Sequence, residues 1–328
     1  MRCILGIDSG GTKCHAMLVR DDGTLLGFGG TESPSSSEYV IFGGFGRTRE
    51  AISKAVTQAL GTTRCEELHI ASVNSNQPAG FLAQWPVTKV KVHYVTEPGA
   101  ALALAGETSG IVALAGTGVL VFGRTRDNRA LSLDGLGPFL GDHGGGYQIG
   151  HAVLRAAAQS KWHSRRSTAF AEAVHKACGG QGGDILGKSL VAYTASPHDR
   201  SEIAYLARFA ISAAADGDTI ARDIMEKAAE DLASTVRDIV DALAMKGESY
   251  PLIGTGGIIA HSNLYWDHFC AEVRKFAPDL KPFRSDLPAV TGLIMSALQK
   301  MDGIDQASVR AALTESVRNY LKNTGTQL

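Results

Sequence analysis

Near the start of the chain, the residues able to do chemistry form one polar turn, Asp8-Ser9-Gly10-Gly11-Thr12-Lys13. It is entered from the apolar run Cys3 to Ile7 and left through a second, Cys14 to Arg20. Gly10 and Gly11 can take positive φ without steric cost, so their amides can face one concavity, and Ser9, Thr12 and Lys13 add hydroxyl donors and a cation. That is the donor set of a phosphate cradle. Asp8 cannot donate to phosphate and repels it unless a divalent cation lies between, which makes Asp8 a candidate Mg2+ partner, held through water. An ordinary tight hairpin uses the same residue types, so this turn alone leaves both readings open.

The layout returns further on. Ile111 to Ala115 is apolar, Gly116-Thr117-Gly118 forms a small turn, and Val119 to Arg124 is apolar again. Each pair is followed by a polar turn, Asp21-Asp22-Gly23 in one copy and Arg126-Asp127-Asn128 in the other, and then by a third strand, Thr24 to Phe28 and Arg129 to Leu133. Two such meanders predict two related domains facing one another; chance likeness of two hairpins is the alternative. No counterpart of Lys13 exists in the second turn, which shifts weight from Lys13 to Asp8 and the backbone.

The elements that must position these turns alternate between strand and helix. Arg47 to Leu60 has apolar residues at helical spacing; Glu67 to Val73 and Val90 to Val95 read as strands; Tyr147 to Ser160, Ser201 to Ala215 and Thr219 to Met245 read as helices. Pro251 to Gly254 and Lys281 to Phe283 are late strands, and Asp305 to Leu321 is a terminal helix. This order predicts an α/β class with helices flanking central sheets. A chain of 328 residues suggests two domains. With 32 Lys+Arg against 33 Asp+Glu and no long single-sign run, it offers no broad field for nucleic acid or an anionic membrane, and a small-molecule partner is favoured. Five scattered cysteines with no C-x-x-C pair argue against a disulfide framework or a zinc ribbon. No stretch reads as a signal peptide or a membrane helix, so a cytoplasmic protein is expected.

Four motifs in order carry a resemblance: Asp8-Ser-Gly-Gly-Thr12, Gly116-Thr117-Gly118, Gly135-Leu-Gly137 followed by Gly141-Asp142-His-Gly144, and Gly254-Thr-Gly-Gly257. From Cys3 to about Leu298 the chain resembles the BadF/BadG/BcrA/BcrD-type ATPase family, most closely its N-acetylglucosamine kinase branch. The resemblance implies two ribonuclease-H-like (actin-like ATPase) domains with a nucleotide cleft between them. Residues 1–115 would form the first and 116–328 the second, the terminal helix packing back on the first.

The resemblance also implies ATP and Mg2+ as cofactors. Gly10, Gly11, Thr12 and Lys13 would form the first phosphate loop, Gly116, Thr117 and Gly118 the second, and Gly254, Gly256 and Gly257 would face the adenosine. Glu97, in Glu97-Pro-Gly-Ala-Ala-Leu102, aligns with the family's Asp base; its extra methylene is a departure. A carboxylate interacting with a helix N-terminus, with Pro98 at the first helical position, is the alternative for Glu97, and the two readings are compatible because such a base would have its carboxylate form favoured. Asp142 would anchor the sugar, a helix cap being the alternative. Ser35 and Ser36, where the family's sugar loop carries an Asn, with Asn74 and Gly137, complete the substrate set. Val119 and Leu136 replace a polar and an aromatic residue of the sugar-kinase pattern. A sugar kinase working as a homodimer is the leading expectation; a BadF-type ATPase and a nucleotide-responsive sensor are the alternatives.

Overall fold

The computed structural model describes residues 1–10, 13–31, 45–73, 87–162, 167–181 and 187–325, for 45–48 the backbone alone. In chain order the elements are β1 Arg2–Ser9, β2 Cys14–Arg20, β3 Leu25–Thr31, α1 Phe45–Leu60, β4 Glu67–Ser72, β5 Lys89–Tyr94 and α2 Glu97–Ala105. Then come β6 Gly110–Ala115, β7 Val119–Arg124, β8 Ala130–Asp134, α3 Gly146–Gln159, α4 Ala171–Ala177, α5 Lys188–Ala195, α6 Arg200–Tyr205, α7 Ala207–Ala215 and α8 Thr219–Ala242. The chain closes with β9 Pro251–Thr255, α9 Gly257–His261, α10 Asn263–Arg274, β10 Lys281–Arg284, α11 Ala289–Leu298 and α12 Gln306–Thr324.

Two compact units divide these elements, one of Met1–Thr108 with Ser285–Leu328, the other of Ser109–Arg284. A boundary between 115 and 116 would instead cut between β6 and β7, which pair from Gly110↔Arg124 to Ala115↔Val119. Among the described residues each unit holds one five-stranded sheet, ordered β3-β2-β1-β4-β5 and β10-β9-β6-β7-β8. Three antiparallel strands come first and two strands parallel to the opening one follow, so the two sheets share one topology. The fold is α/β, and the repeated meander supplies the first three strands of each mixed sheet.

β1 is buried on both faces, as the uninterrupted apolar run Cys3 to Ile7 requires. Cys3, Leu5 and Ile7 pack toward α1; Ile4, with Met17 and Val19 of β2, packs toward α11 and Leu313 and Val317 of α12. Gly6 lets α11 close on the strand, since a Cβ there would lie 2.8 Å from Ile294 Cγ1. In the second unit the long amphipathic α8 buries Ala221, Met225, Ala229, Leu232, Val236 and Ile239 in the core.

The helical stretch Ser201 to Ala215 is not one helix. It divides at Leu206, where Leu206 N–H donates to the Ile203 carbonyl and Phe209 N–H to the Leu206 carbonyl, a tightened turn between α6 and α7.

Candidate functional site

Because β1, β4 and β5 run parallel, their carboxyl ends lie along one edge of the first sheet. The turn after β1 and Glu97 after β5 therefore share the edge where ligands of open α/β sheets gather. Asp8 pairs in register with His15, and the Gly10 amide donates to the Lys13 carbonyl at 2.9 Å. Gly10 does not take the positive φ expected for a cradle; a Cβ on it would sit in ordinary contact, 3.5 Å from the Lys13 carbonyl oxygen. Gly11 and Thr12 lie outside the described residues.

Charge is the character of this edge. Removal from water raises the pKa of Asp8, and Lys13 pulls it back down. Burial likewise lowers the pKa of Lys13, with Asp8 opposing. Glu97 opens α2, whose cap is Thr96: its Oγ1 accepts the Gly99 amide at 3.1 Å, and Pro98 follows within the first turn. Glu97 keeps solvent-exposed surface, yet the protein around its carboxyl, and secondarily the Asp8 charge, push its pKa above the usual glutamate value. Water in reach screens part of that elevation. The fold thus brings Asp8 and Glu97 within electrostatic reach of each other, and two hard carboxylates are a donor set that suits Mg2+.

The second turn works with dipoles. The Gly116 amide donates to the Gly118 carbonyl at 2.9 Å and closes the hairpin. The first amides of α3 then take the other two carbonyls, Gly146 N–H donating to Gly116 O at 2.8 Å and Tyr147 N–H to Thr117 O at 3.0 Å. No peptide bond here is cis, so each N–H points opposite to the carbonyl of its own peptide unit. The Thr117 and Gly118 amides therefore both face away from α3, and no hydrogen bond among the described residues occupies either. Two amides aimed to one side, neither taken by another described residue, are the donor arrangement an anion concavity uses.

Asp142, the expected sugar anchor, is held by neighbours of its own unit. It is 2% exposed and turned inward: Oδ1 accepts the Val119 amide at 2.9 Å and Oδ2 accepts Arg200 Nη2 at 2.5 Å. Burial, with the Asp134 charge adding to it, pushes its carboxyl above the usual aspartate value, while the Val119 amide opposes the shift and the guanidinium favours the ionised form. Each of its oxygens thus has a partner within the second unit. A Cβ on Gly118 would fall 2.6 Å from Asp142 Oδ1 and 2.8 Å from Arg200 Nη2, so only glycine fits there. Asp134 fixes the loop ahead of Asp142 by accepting the amides of Gly135, Asp142 and His143.

Gly137, in the same loop, takes φ +82 and accepts the Gly141 amide at 2.8 Å. Gly254 and Gly256 end β9, which runs parallel to β6, so their turn and Gly116 to Gly118 share one sheet edge. Gly254 faces the Trp266 ring; Gly256, at φ +97, would place a Cβ 2.3 Å from the Ala115 carbonyl; Gly257 faces open space. Ser35, Ser36 and Asn74 lie outside the described residues. Sequence reasoning missed Arg200, Asp134 and Tyr265, whose hydroxyl donates to the Gly144 carbonyl at 2.9 Å. Only Arg200 had a local signal, the Asp199-x-x-Glu202 capping box that marks the start of α6.

A family model, that of the BadF/BadG/BcrA/BcrD ATPase family, matches residues 5–273. The chain belongs to that family. Among its relatives, an N-acetylmuramic acid/N-acetylglucosamine kinase of Clostridium acetobutylicum is 26% identical, covering 92% of this chain and all of its own length. The N-acetyl-D-glucosamine kinase of Dictyostelium discoideum is 25% identical over 90% of this chain and 97% of its own. A crystal structure of an N-acetylglucosamine kinase candidate from Chromobacterium violaceum superimposes with a TM-score of 0.66 at 21% identity, covering 90% of this chain and 99% of that one, and shares the fold. Among the described residues of this BadF-type chain, no helix is long and apolar enough to cross a membrane.

Proposed function

We propose that this protein is an ATP-dependent sugar kinase, moving the γ-phosphoryl group of ATP to a hydroxyl of an N-acetylglucosamine-like sugar. The observation that carries the reading is the pair of unoccupied amides, Thr117 and Gly118, aimed away from α3. Near full-length similarity to two curated amino-sugar kinases supports the choice of acceptor.

In this reading the turns after β1 and β6 are the phosphate loops, and Gly254, Gly256 and Gly257 approach the adenosine. Phosphoryl transfer asks little covalent chemistry of a protein; it needs positioning, charge stabilisation and a proton acceptor. The Thr117 and Gly118 amides stabilise phosphate charge without reorganising, because α3 already holds their carbonyls. Glu97 takes the proton from the sugar hydroxyl, and burial, by raising its pKa, strengthens it as a base. Mg2+ fits Asp8, through water, and when bound it offsets the phosphate charge that Asp8 would otherwise repel. A cytoplasmic homodimer belongs to the same reading, and light scattering of the pure protein tests the oligomeric part.

A coupled assay with ATP, Mg2+ and a panel of hexoses and N-acetylated amino sugars tests the whole. The expected result is turnover with N-acetylglucosamine or a close relative. An ATP-only rate that no sugar raises would turn the reading toward an ATPase.

A further inference from the structure

We propose that Arg200 is a positioning residue for the Gly116 to Gly118 turn, acting through Asp142 to fix where the Thr117 and Gly118 amides meet phosphate; this rests on the kinase reading for its consequence, though not for its geometry. The turn is gripped at two points. At its carbonyls the grip is α3, through Gly146 and Tyr147. At its exit into β7 the grip is Asp142 Oδ1 on the Val119 amide, and Arg200 holds the other oxygen. The two grips belong to one piece, because α6 lies directly on α3: a Cβ on Gly150 would fall 1.9 Å from the Ile203 carbonyl, and one on Gly146 3.3 Å from the Ala204 Cβ.

Arg200 is itself well placed for this. It is the first residue of α6, where Asp199 accepts the Ser201 amide at 3.3 Å, Glu202 accepts the Asp199 amide at 3.1 Å, and His198 Nδ1 lies 2.9 Å from Glu202. Electrostatics makes the cation necessary. A buried aspartate just beneath a cradle for anions would oppose the ligand and, unpaired, would protonate or leave its place. Arg200 cancels that charge at 2.5 Å and holds Asp142 against Val119.

The test uses the full chain with Arg200→Ala, Arg200→Gln and the double change Arg200→Met with Asp142→Asn, in which the Asn oxygen can still accept from Val119. Three quantities are read: hydrogen exchange of the Val119 amide by NMR without nucleotide, KM for ATP, and kcat. Arg200→Ala should speed Val119 exchange about tenfold or more and raise KM for ATP by a similar factor, with kcat within about threefold. Arg200→Gln, which keeps a donor and spares the fold, should shift both in the same direction by a smaller factor. The double variant should return both toward wild type. Wild-type exchange and KM in Arg200→Ala, or in Arg200→Gln where the alanine variant does not fold, would overturn the inference. So would a lowered melting temperature with KM unmoved. If the wild-type protein neither binds nor consumes ATP, the kinase reading falls, and Val119 exchange still decides the role of Arg200.

Discussion

The turn after β1 and the turn after β6 occupy the same place in two sheets of the same topology, yet they handle charge in opposite ways. The first concentrates ionisable groups, with Asp8 and Lys13 perturbing each other and the Asp8 charge raising the pKa of Glu97. The second has no charged residue within it; its polarity is that of peptide amides, and Asp142, which grips its exit into β7, is paired with Arg200. In the proposed kinase, duplicated topology separates two tasks of phosphoryl transfer, titratable chemistry on one unit and fixed dipoles on the other. A dipole site gains from rigidity, and the second turn is held at its carbonyls by α3 and at its exit by Asp142.

The largest expected effect lies on the charged side. Glu97→Gln removes the proton acceptor and should lower kcat by about 10²–10⁴-fold while ATP-analogue affinity changes little, as calorimetry beside the coupled assay would show. Equal losses of affinity and turnover would place Glu97 in binding instead. Next comes a paired substitution that contrasts the turns. Gly118→Ala forces a methyl into Asp142 and Arg200 and should raise KM for ATP at least tenfold and cost about 1–3 kcal/mol of stability, whereas Gly10→Ala should stay within about 0.5 kcal/mol. Similar melting temperatures for the two variants would erase the distinction.

Sensitivity to pH should also reside in the first unit. Burial, and then the Lys13 charge, press the pKa of His15 down from the ordinary 6.5 to about 4. Between those values the unfolded chain binds the proton and the folded one does not, so stability falls as pH drops from 6.5 toward 4, by on the order of 2 kcal/mol. His15→Asn should flatten that part of the curve in urea melts at stepped pH. The smallest effect is expected at Phe139, 92% exposed on the loop ahead of Asp142. Phe139→Ser should change the unfolding free energy by less than about 0.5 kcal/mol, and a larger loss would reveal packing on that loop.

Strand patterning made most of the first sheet legible, since β1 and β2 are continuous apolar runs broken by a turn, and the echo at Ile111 carried over to the second. The helices against β1 were harder. Every residue from Val290 to Leu298 in α11 is buried, and α2 buries Pro98 and all of Ala100 to Leu104, so neither shows the polar stripe that marks an amphipathic helix. At the site, the glycine turns could be found from local residue types, and Glu97 from the family resemblance. Asp142 could not be oriented, because its partner Arg200 stands 58 residues away and local sequence does not register that distance. Nor does the sequence of the second turn disclose where its amides aim, which depends on hydrogen bonds from the start of α3.

The division of the chain has a consequence for how the molecule is made. Ser109–Arg284 is one continuous stretch, whereas the other unit needs Ser285–Leu328 as well as Met1–Thr108. Val290 and Ile294, against which Gly6 of β1 packs, are among the later residues to leave the ribosome. Domains usually mature in the order of synthesis. Here the half that emerges first must wait: the middle of the chain can complete its core during translation, while the face of β1 meant for α11 stays uncovered until α11 has been synthesised. Truncation within α11 should therefore harm the Asp8 and Glu97 edge, encoded far upstream, before it harms the nearer Gly116 to Gly118 turn.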